Sequence, residues 1–213
     1  MKKYILIILL LSQLLSSCAS VKAVPELVEN GIINQEDNSQ TITRNGVQIR
    51  TVLSGSEINA YNLDGTVSSF TLAVKNGSDK EVSFSPESFV LVDEAGLQYD
   101  QLTPQKMLEM IKKDSYYLMP YPYVGFYYLE DFQKTSFYNR LNSSLPYYYE
   151  VYPQDLFTKS LPLTSIIPGM QVEGMVFFKI DLSAHKQVKL YVYRRGASRS
   201  NPPEFVFPFK IVK

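Results

Sequence analysis

From residue 41 onward the apolar residues fall at every second position. Phe205, Phe207, Phe209 and Ile211 share one face of an extended chain, and so do Phe70, Leu72 and Val74. Val176, Phe178 and Ile180 repeat the pattern, as do Val188, Leu190 and Val192. Only a β-strand sets alternate residues on one side, so this periodicity excludes a helical bundle. Asn45-Gly46 between 41–44 and 47–53 predicts a hairpin, because a two-residue type I′ turn needs positive φ at both positions. Further strands are expected over 67–75, 81–85, 89–92, 97–102, 171–181, 188–192 and 205–211, with turns at 76–80, 93–96 and Pro168-Gly169. Phe89 to Val92 is continuously apolar, as in a strand buried on both faces. Pro208 cannot donate to a ladder, which predicts an edge strand or a bulge there. The expected fold class is mainly β, with two antiparallel sheets packed face to face. A body of ~170 residues buries roughly 70% of its unfolded surface, so it needs no disulfide.

Composition narrows the chemistry. There is one Cys, which excludes an internal disulfide and a multi-Cys zinc site. There is one His, which excludes a metal site built of several histidines in one chain. Lys plus Arg and Asp plus Glu are both 21, so no basic surplus exists to displace counterions from nucleic acid. No phosphate loop, dinucleotide glycine motif or Gly-x-Ser-x-Gly elbow occurs. No cofactor, no metal and no nucleic-acid partner is expected.

The first residues form a targeting segment. Lys2 and Lys3 precede an apolar run from Ile5 to Leu11, extended by Leu14 and Leu15, and then Ser16-Ser17-Cys18. A charged start, an apolar core and small residues are the marks of a secretory signal. The run is well short of the ~20 residues a membrane span needs. With Cys directly after Leu15-Ser16-Ser17, the segment resembles a bacterial lipoprotein signal. That resemblance implies cleavage after residue 17, a lipid on the Cys18 sulfur and attachment to a membrane through it. Ala19 and Ser20 follow the Cys, and the resemblance to Gram-negative lipoproteins, in which an Asp there marks inner-membrane retention, implies the outer membrane of the cell envelope. Residues 18–40 read as the lipidated Cys and a flexible tether, in which Pro25 to Glu29 could make a helical turn or two. About 20 such residues would reach roughly 25 Å. Residues 41–213 are the folded body.

Within the body, two stretches carry a second resemblance. They are Val74-Lys75-Asn76-Gly77-Ser78-Asp79-Lys80 and Phe89-Val90-Leu91-Val92-Asp93-Glu94-Ala95-Gly96-Leu97-Gln98-Tyr99. With Pro168-Gly169, Gly174 and Val176-Phe177-Phe178, they are similar to bacterial secreted immunoglobulin-like domains of unknown function. This implies an immunoglobulin-like antiparallel β-sandwich. The motifs are turn and strand punctuation and carry no chemistry.

Residues 103–165 interrupt the pattern. Thr103-Pro104 is a helix start, with Thr as N-cap, and Met107, Leu108, Met110 and Ile111 form an apolar stripe over 104–114. A second helix is expected over 126–141 and a short third over 153–160. Eleven of the sixteen tyrosines lie between 116 and 152. Tyr116, Tyr117, Tyr121, Tyr123, Tyr127, Tyr128, Tyr147, Tyr148 and Tyr149 are the candidate partner surface; Tyr138 and Tyr152 complete the set. One reading is a half-buried cover over the sandwich, since Tyr offers an apolar face and a polar tip. The other is a recognition surface, because Tyr supplies rigid contact area at low entropy cost. The charges from 116 to 152 are Glu130, Asp131, Lys134, Arg140 and Glu150, too few cations for a single-strand platform.

His185 in Asp181-Leu182-Ser183-Ala184-His185-Lys186 reads as a loop histidine and not a triad member. Asp155 with Glu150, or Glu130 with Asp131, could supply a carboxylate pair; solvated surface acids account for them as well. Met107 and Met110 sit at helical spacing, which favours core over a soft-metal site with Met119. Arg194, Arg195 and Arg199 form a small basic cluster in a polar loop. The expected function is a non-enzymatic binding or assembly module on the envelope, presenting residues 116–152 to an envelope protein partner. The alternatives are a carbohydrate-binding or glycoside-processing envelope protein, and a structural lipoprotein with buried tyrosines.

Overall fold

The computed structural model describes residues 21–54, 65–114, 118–119, 147–148 and 155–213, with side chains over 21–54, 65–110 and 156–213. Cys18 and most of the Tyr-rich segment lie outside these residues, as does the helix expected over 126–141.

The strands, in chain order, begin with β1 (Lys22–Pro25), β2 (Gly31–Asn34), β3 (Ser39–Arg44) and β4 (Val47–Leu53). Then come β5 (Ser68–Asn76), β6 (Phe89–Asp93) and β7 (Gln98–Leu102). Helix α1 (Pro104–Asp114) follows, then β8 (Leu118–Met119), β9 (Tyr147–Tyr148) and helix α2 (Asp155–Lys159). β10 (Gln171–Phe178), β11 (Gln187–Val192) and β12 (Phe205–Val212) close the chain.

Ten strands form one antiparallel sheet in the order β1-β12-β11-β6-β7-β10-β5-β4-β3-β2. The sheet is nearly closed into a barrel. Side chains on β3 link the two ends of the sheet: Gln40 Nε2 donates to the carbonyl of Glu26, just past β1, at 2.7 Å. Further up, Arg44 Nη1 donates to the carbonyl of Glu204 at 2.9 Å. The link between β7 and β10 is short, with Phe177 opposite Leu102 and Phe178 opposite Gln101. The alternating apolar residues point inward into one core. It includes Ile49, Phe70, Leu72, Phe89, Leu91, Phe178, Leu190 and Phe207, each with no exposed surface.

The predicted hairpin forms as expected. Asn45 and Gly46 have φ of 50° and 77°, and Arg44 pairs with Val47 across the turn. Helix α1 starts where Thr103 indicated, its hydroxyl accepting from Lys106 N at 3.3 Å. The short helix expected over 153–160 is α2.

Three expectations change. Residues 22–34 are not tether: they form β1, which pairs with β12 from Lys22↔Val212 to Pro25↔Phe209, and β2, which pairs with β3. Pro25 ends β1 and starts no helix; the chain then turns through Asn30, at φ 61°, into β2. The strand expected over 81–85 is a single bridge, Val82↔Ile166, although Val82 and Phe84 are buried. Pro208 lies on an interior strand with no bulge needed. Its carbonyl accepts from Glu26 N at 2.9 Å, so its nitrogen also points towards β1, at the place where that ladder ends. The Glu26 carbonyl, which would have taken a Pro208 N–H, takes the Gln40 amide instead.

Candidate functional site

The second half of β10, from Gly174 to Phe178, is buried on both faces, and this locates the roots of the Tyr-rich segment. Val176 and Phe178 face the interior core. Met175 and Phe177 face outward into a second cluster with Val67, Met107 and Leu156, bordered by Leu102, Leu108 and Met110. Met107 comes from α1 and Leu156 from α2, so both roots of the segment 115–154 are fixed on the outer face of β10. Met107 has no exposed surface, which agrees with a core role for this methionine. The crossing after α2 is close. Leu161 N donates to Met175 O at 2.9 Å, and a Cβ on Gly174 would lie 2.5 Å from Leu161 Cα. Only glycine fits where the two backbones meet.

Between the roots, β8 and β9 pair antiparallel, Leu118 opposite Tyr148 and Met119 opposite Tyr147. The backbones of Tyr147 and Tyr148 are thus placed beside residues 118–119. Tyr116, Tyr117, Tyr121, Tyr123, Tyr127, Tyr128 and Tyr149 lie outside the described residues, as do Glu130, Asp131 and Glu150.

The residues that carry the immunoglobulin-like resemblance hold turns. Buried Asn76 donates through Nδ2 to the carbonyls of Lys80 (2.8 Å) and Ile166 (2.7 Å), and its Oδ1 accepts from Ser78 N and Oγ. Asp93 Oδ1 accepts from Ala95 N at 2.9 Å and Leu97 N at 2.8 Å, while Gly96 takes φ 83°. Each side chain replaces the backbone partners that a tight turn removes.

His185 joins this second turn. Its Nδ1 lies 3.2 Å from Glu94 Oε2 and 3.8 Å from Asp93 Oδ2, and its ring meets Tyr99 edge-on at 6.3 Å. Tyr99 donates its hydroxyl to Asp93 Oδ2 at 3.1 Å. Burial pushes the Asp93 carboxyl up, but the Leu97 and Ala95 amides, the Tyr99 hydroxyl and His185 outweigh it and hold it below the ordinary value. Burial and the charges of Asp93 and Glu94 push the Tyr99 phenol up. Two carboxylates and a phenol around one imidazole tie the β6–β7 turn to the loop before β11. The arrangement is a charged clasp with no nucleophile hydrogen-bonded to the imidazole among the described residues. No group of three or more His, Cys, Asp or Glu suited to a metal ion occurs among the described residues either.

The arginine cluster is largely neutralised. Arg194 grips Glu204 with two bonds, 2.6 Å from Nε and 2.7 Å from Nη2, and Asn45 adds a third at 3.0 Å. Arg199 bonds Asp100 at 2.7 Å and the Glu87 carbonyl at 2.9 Å. Sequence reasoning missed Glu204 and Gln40, whose partners are remote in the chain. Nothing local marks either residue, whereas Asn76 and Gly174 stood in legible turn and strand motifs.

No family model matches the chain, and no curated protein does. Among solved structures it is similar to MPT63, a secreted protein of Mycobacterium tuberculosis, at 14% identity and TM-score 0.33, over 74% of this chain and 87% of that one. A putative lipoprotein of Bacillus subtilis (ycdA) matches at 13% and 0.34, over 90% of this chain and 36% of that one. A functionally unknown protein of Listeria monocytogenes matches at 12% and 0.36, over 92% and 87%. Likenesses at this level carry no argument about what the chain does.

Proposed function

We propose that the chain is a lipid-anchored envelope protein, a non-enzymatic binding or assembly module whose contact surface is the Tyr-rich segment. The anchor is Cys18, after Leu15-Ser16-Ser17, and the location is extracytoplasmic, on the outer membrane. The body is an immunoglobulin-like sandwich in which β1, β12, β11, β6 and β7 face β10, β5, β4, β3 and β2 across the shared core. The ladder between β7 and β10 is only two residue pairs long, which supports this reading.

The observation that carries the binding role is the placement of Met107 and Leu156. They hold both roots of the segment on an outer face, separate from the interior core. Eleven tyrosines then issue from a fixed base. Tyr is suited to contact because it is large, rigid and amphipathic.

Iodination of the intact protein, located by mass spectrometry, tests it. Tyr193, 7% exposed, is the internal standard for protection. Several of Tyr116, Tyr117, Tyr121, Tyr123, Tyr127, Tyr128, Tyr147, Tyr148 and Tyr149 should react far faster than Tyr193. If all are as slow as Tyr193, the segment is a cover and the contact surface is lost. The anchor is tested by Cys18→Ala, which should move the protein from the membrane to the soluble fraction in high salt.

A further inference from the structure

We propose that the outer face of β1, β12 and β11 is a docking surface for anionic lipid headgroups, which holds the body flat on the membrane. The inference rests on the Cys18 anchor and adds to it which face meets the bilayer.

The first observation is the length of chain between the anchor and the fold. Sequence patterning allowed a tether of some twenty residues, but β1 starts at Lys22. Four residue steps from Cys18 to Lys22 reach at most about 14 Å when fully extended. A body held that closely must rest a side on the headgroups. The side nearest the anchor is the one to which β1, an edge strand, belongs.

The second observation is the charge of that side. Lys22 stands opposite Val212, Gln187 opposite Lys210, and Lys189 opposite Pro208. Residues directly opposite share a face, so Lys22, Lys210 and Lys189 all point outward, on three adjacent strands. Each lysine is the diagonal neighbour of the next, at a spacing of roughly 7–8 Å. All three are exposed. No ion pair among the described residues reaches any of them. Of the acids on the same face, Asp100 is paired with Arg199, while Glu26 accepts from the neutral Gln187 amide and keeps its charge, so three lysines there face one carboxylate without a cation partner. Val212, 41% exposed, lies beside Lys22 and gives the face an apolar contact. A local ridge of lysines without ion pairs is suited to an anionic surface within a Debye length, although the chain from residue 18 onward has 21 − 2 = 19 Lys plus Arg against 21 Asp plus Glu.

The consequence reaches the Tyr-rich segment. Its roots sit on β10, four strands from β12 in the ten-strand order and so nearly half-way round the sheet. Docking through the lysine face points those roots away from the bilayer, towards a partner.

The test couples the chain from residue 18 onward, through the thiol of its single Cys, to a maleimide-headgroup phospholipid. The vesicles are of phosphatidylcholine with or without phosphatidylglycerol. Amine acetylation is then followed lysine by lysine by mass spectrometry. Lys22 is close to the anchor on either surface, so Lys189 and Lys210 are the informative sites. A lysine at an anionic surface gains about fivefold in local affinity. Acetylation of Lys189 and Lys210 should therefore slow about fivefold on the anionic vesicles, and the protection should vanish in high salt. Lys75 and Lys80, at the end of β5, should be unaffected. Equal rates on both vesicles, or equal protection of Lys75 and Lys80, would overturn the proposal. Coupling through the thiol makes the result independent of acylation in the cell. A mature amino-terminal peptide lacking lipid would sink the anchor reading by a separate measurement.

Discussion

The two faces of β10 are built from alternate residues of one strand and do different work. Inward, Val176 and Phe178 join a core lined by alternate residues of many strands. Outward, Met175 and Phe177 are covered by two short helices, through Met107 and Leu156. The inner face is redundant, since each ring touches several strands that are themselves cross-paired. The outer face depends on a few side chains and one close crossing at Gly174. Stability should therefore reside inside, and control of the Tyr-rich segment outside.

Five substitutions would break or sharpen that contrast. Phe178→Ala, which opens a cavity in the interior, should cost about 4 kcal/mol in urea unfolding. A loss no greater than that of an exposed residue would mean the core is not continuous. Gly174→Ala forces a Cβ into the Leu161 backbone and should cost about 3 kcal/mol by overpacking. It should also loosen the α2 root, seen as new proteolytic cuts near residue 160. Asn76→Ala removes one donor each from the carbonyls of Lys80 and Ile166 and the acceptor of Ser78 N, and should cost about 2 kcal/mol. A neutral result would show that water replaces the amide.

Met107→Ala should cost about 2 kcal/mol as well, but its sharper signature is local. Hydrogen exchange should rise in α1 and α2 while β11 and β12 stay protected. Uniform loss of protection would erase the distinction between the two faces. Glu204→Gln is the mildest, about 1 kcal/mol, because its ion pair is near solvent. Burial pushes the Glu204 carboxyl up, but the Arg194 guanidinium, Asn45 and the charge of Arg44 prevail and hold it below the ordinary value. A lowered folded value means the stabilisation is present above about pH 4.3 and is lost as pH falls through the folded value. Glu204→Gln should thus flatten the acid limb of the stability profile. An unchanged limb would place its source among the other carboxyls held low, Asp37, Glu87, Asp93, Glu94 and Asp100.

Much of the body was legible because its signals are local. Inward alternation, the Asn45-Gly46 turn and the Thr103 cap each depend on residues that are neighbours in the chain. The outer face of β10 was half legible. Met107 and Met110 showed their stripe, but nothing near Met175 or Phe177 announced a second cluster. The candidate contact segment was legible as composition only, through its tyrosines, and its roots required the fold. His185 read as a loop residue, and the structure adds its carboxylate partners from a turn some ninety positions earlier.

The sequence by itself determined that this protein is mainly β and that it turns at particular asparagines, aspartates and glycines; residues 2–18 resemble a lipoprotein signal. Backbone sterics and side-chain period act over a few residues, so one strand's text suffices to state them. Only the tertiary structure decided that residues 22–34 belong to the sheet, that Pro208 is tolerated in its interior, and that three lysines form one ridge. β1 is four residues long and gains its stability by pairing with β12, about 190 positions later. The missing Pro208 donor is offset by a Gln40 amide from another strand. Lys22, Lys189 and Lys210 become neighbours only when register aligns three strands. Each of these rests on contacts between residues far apart in the chain, which no local pattern records.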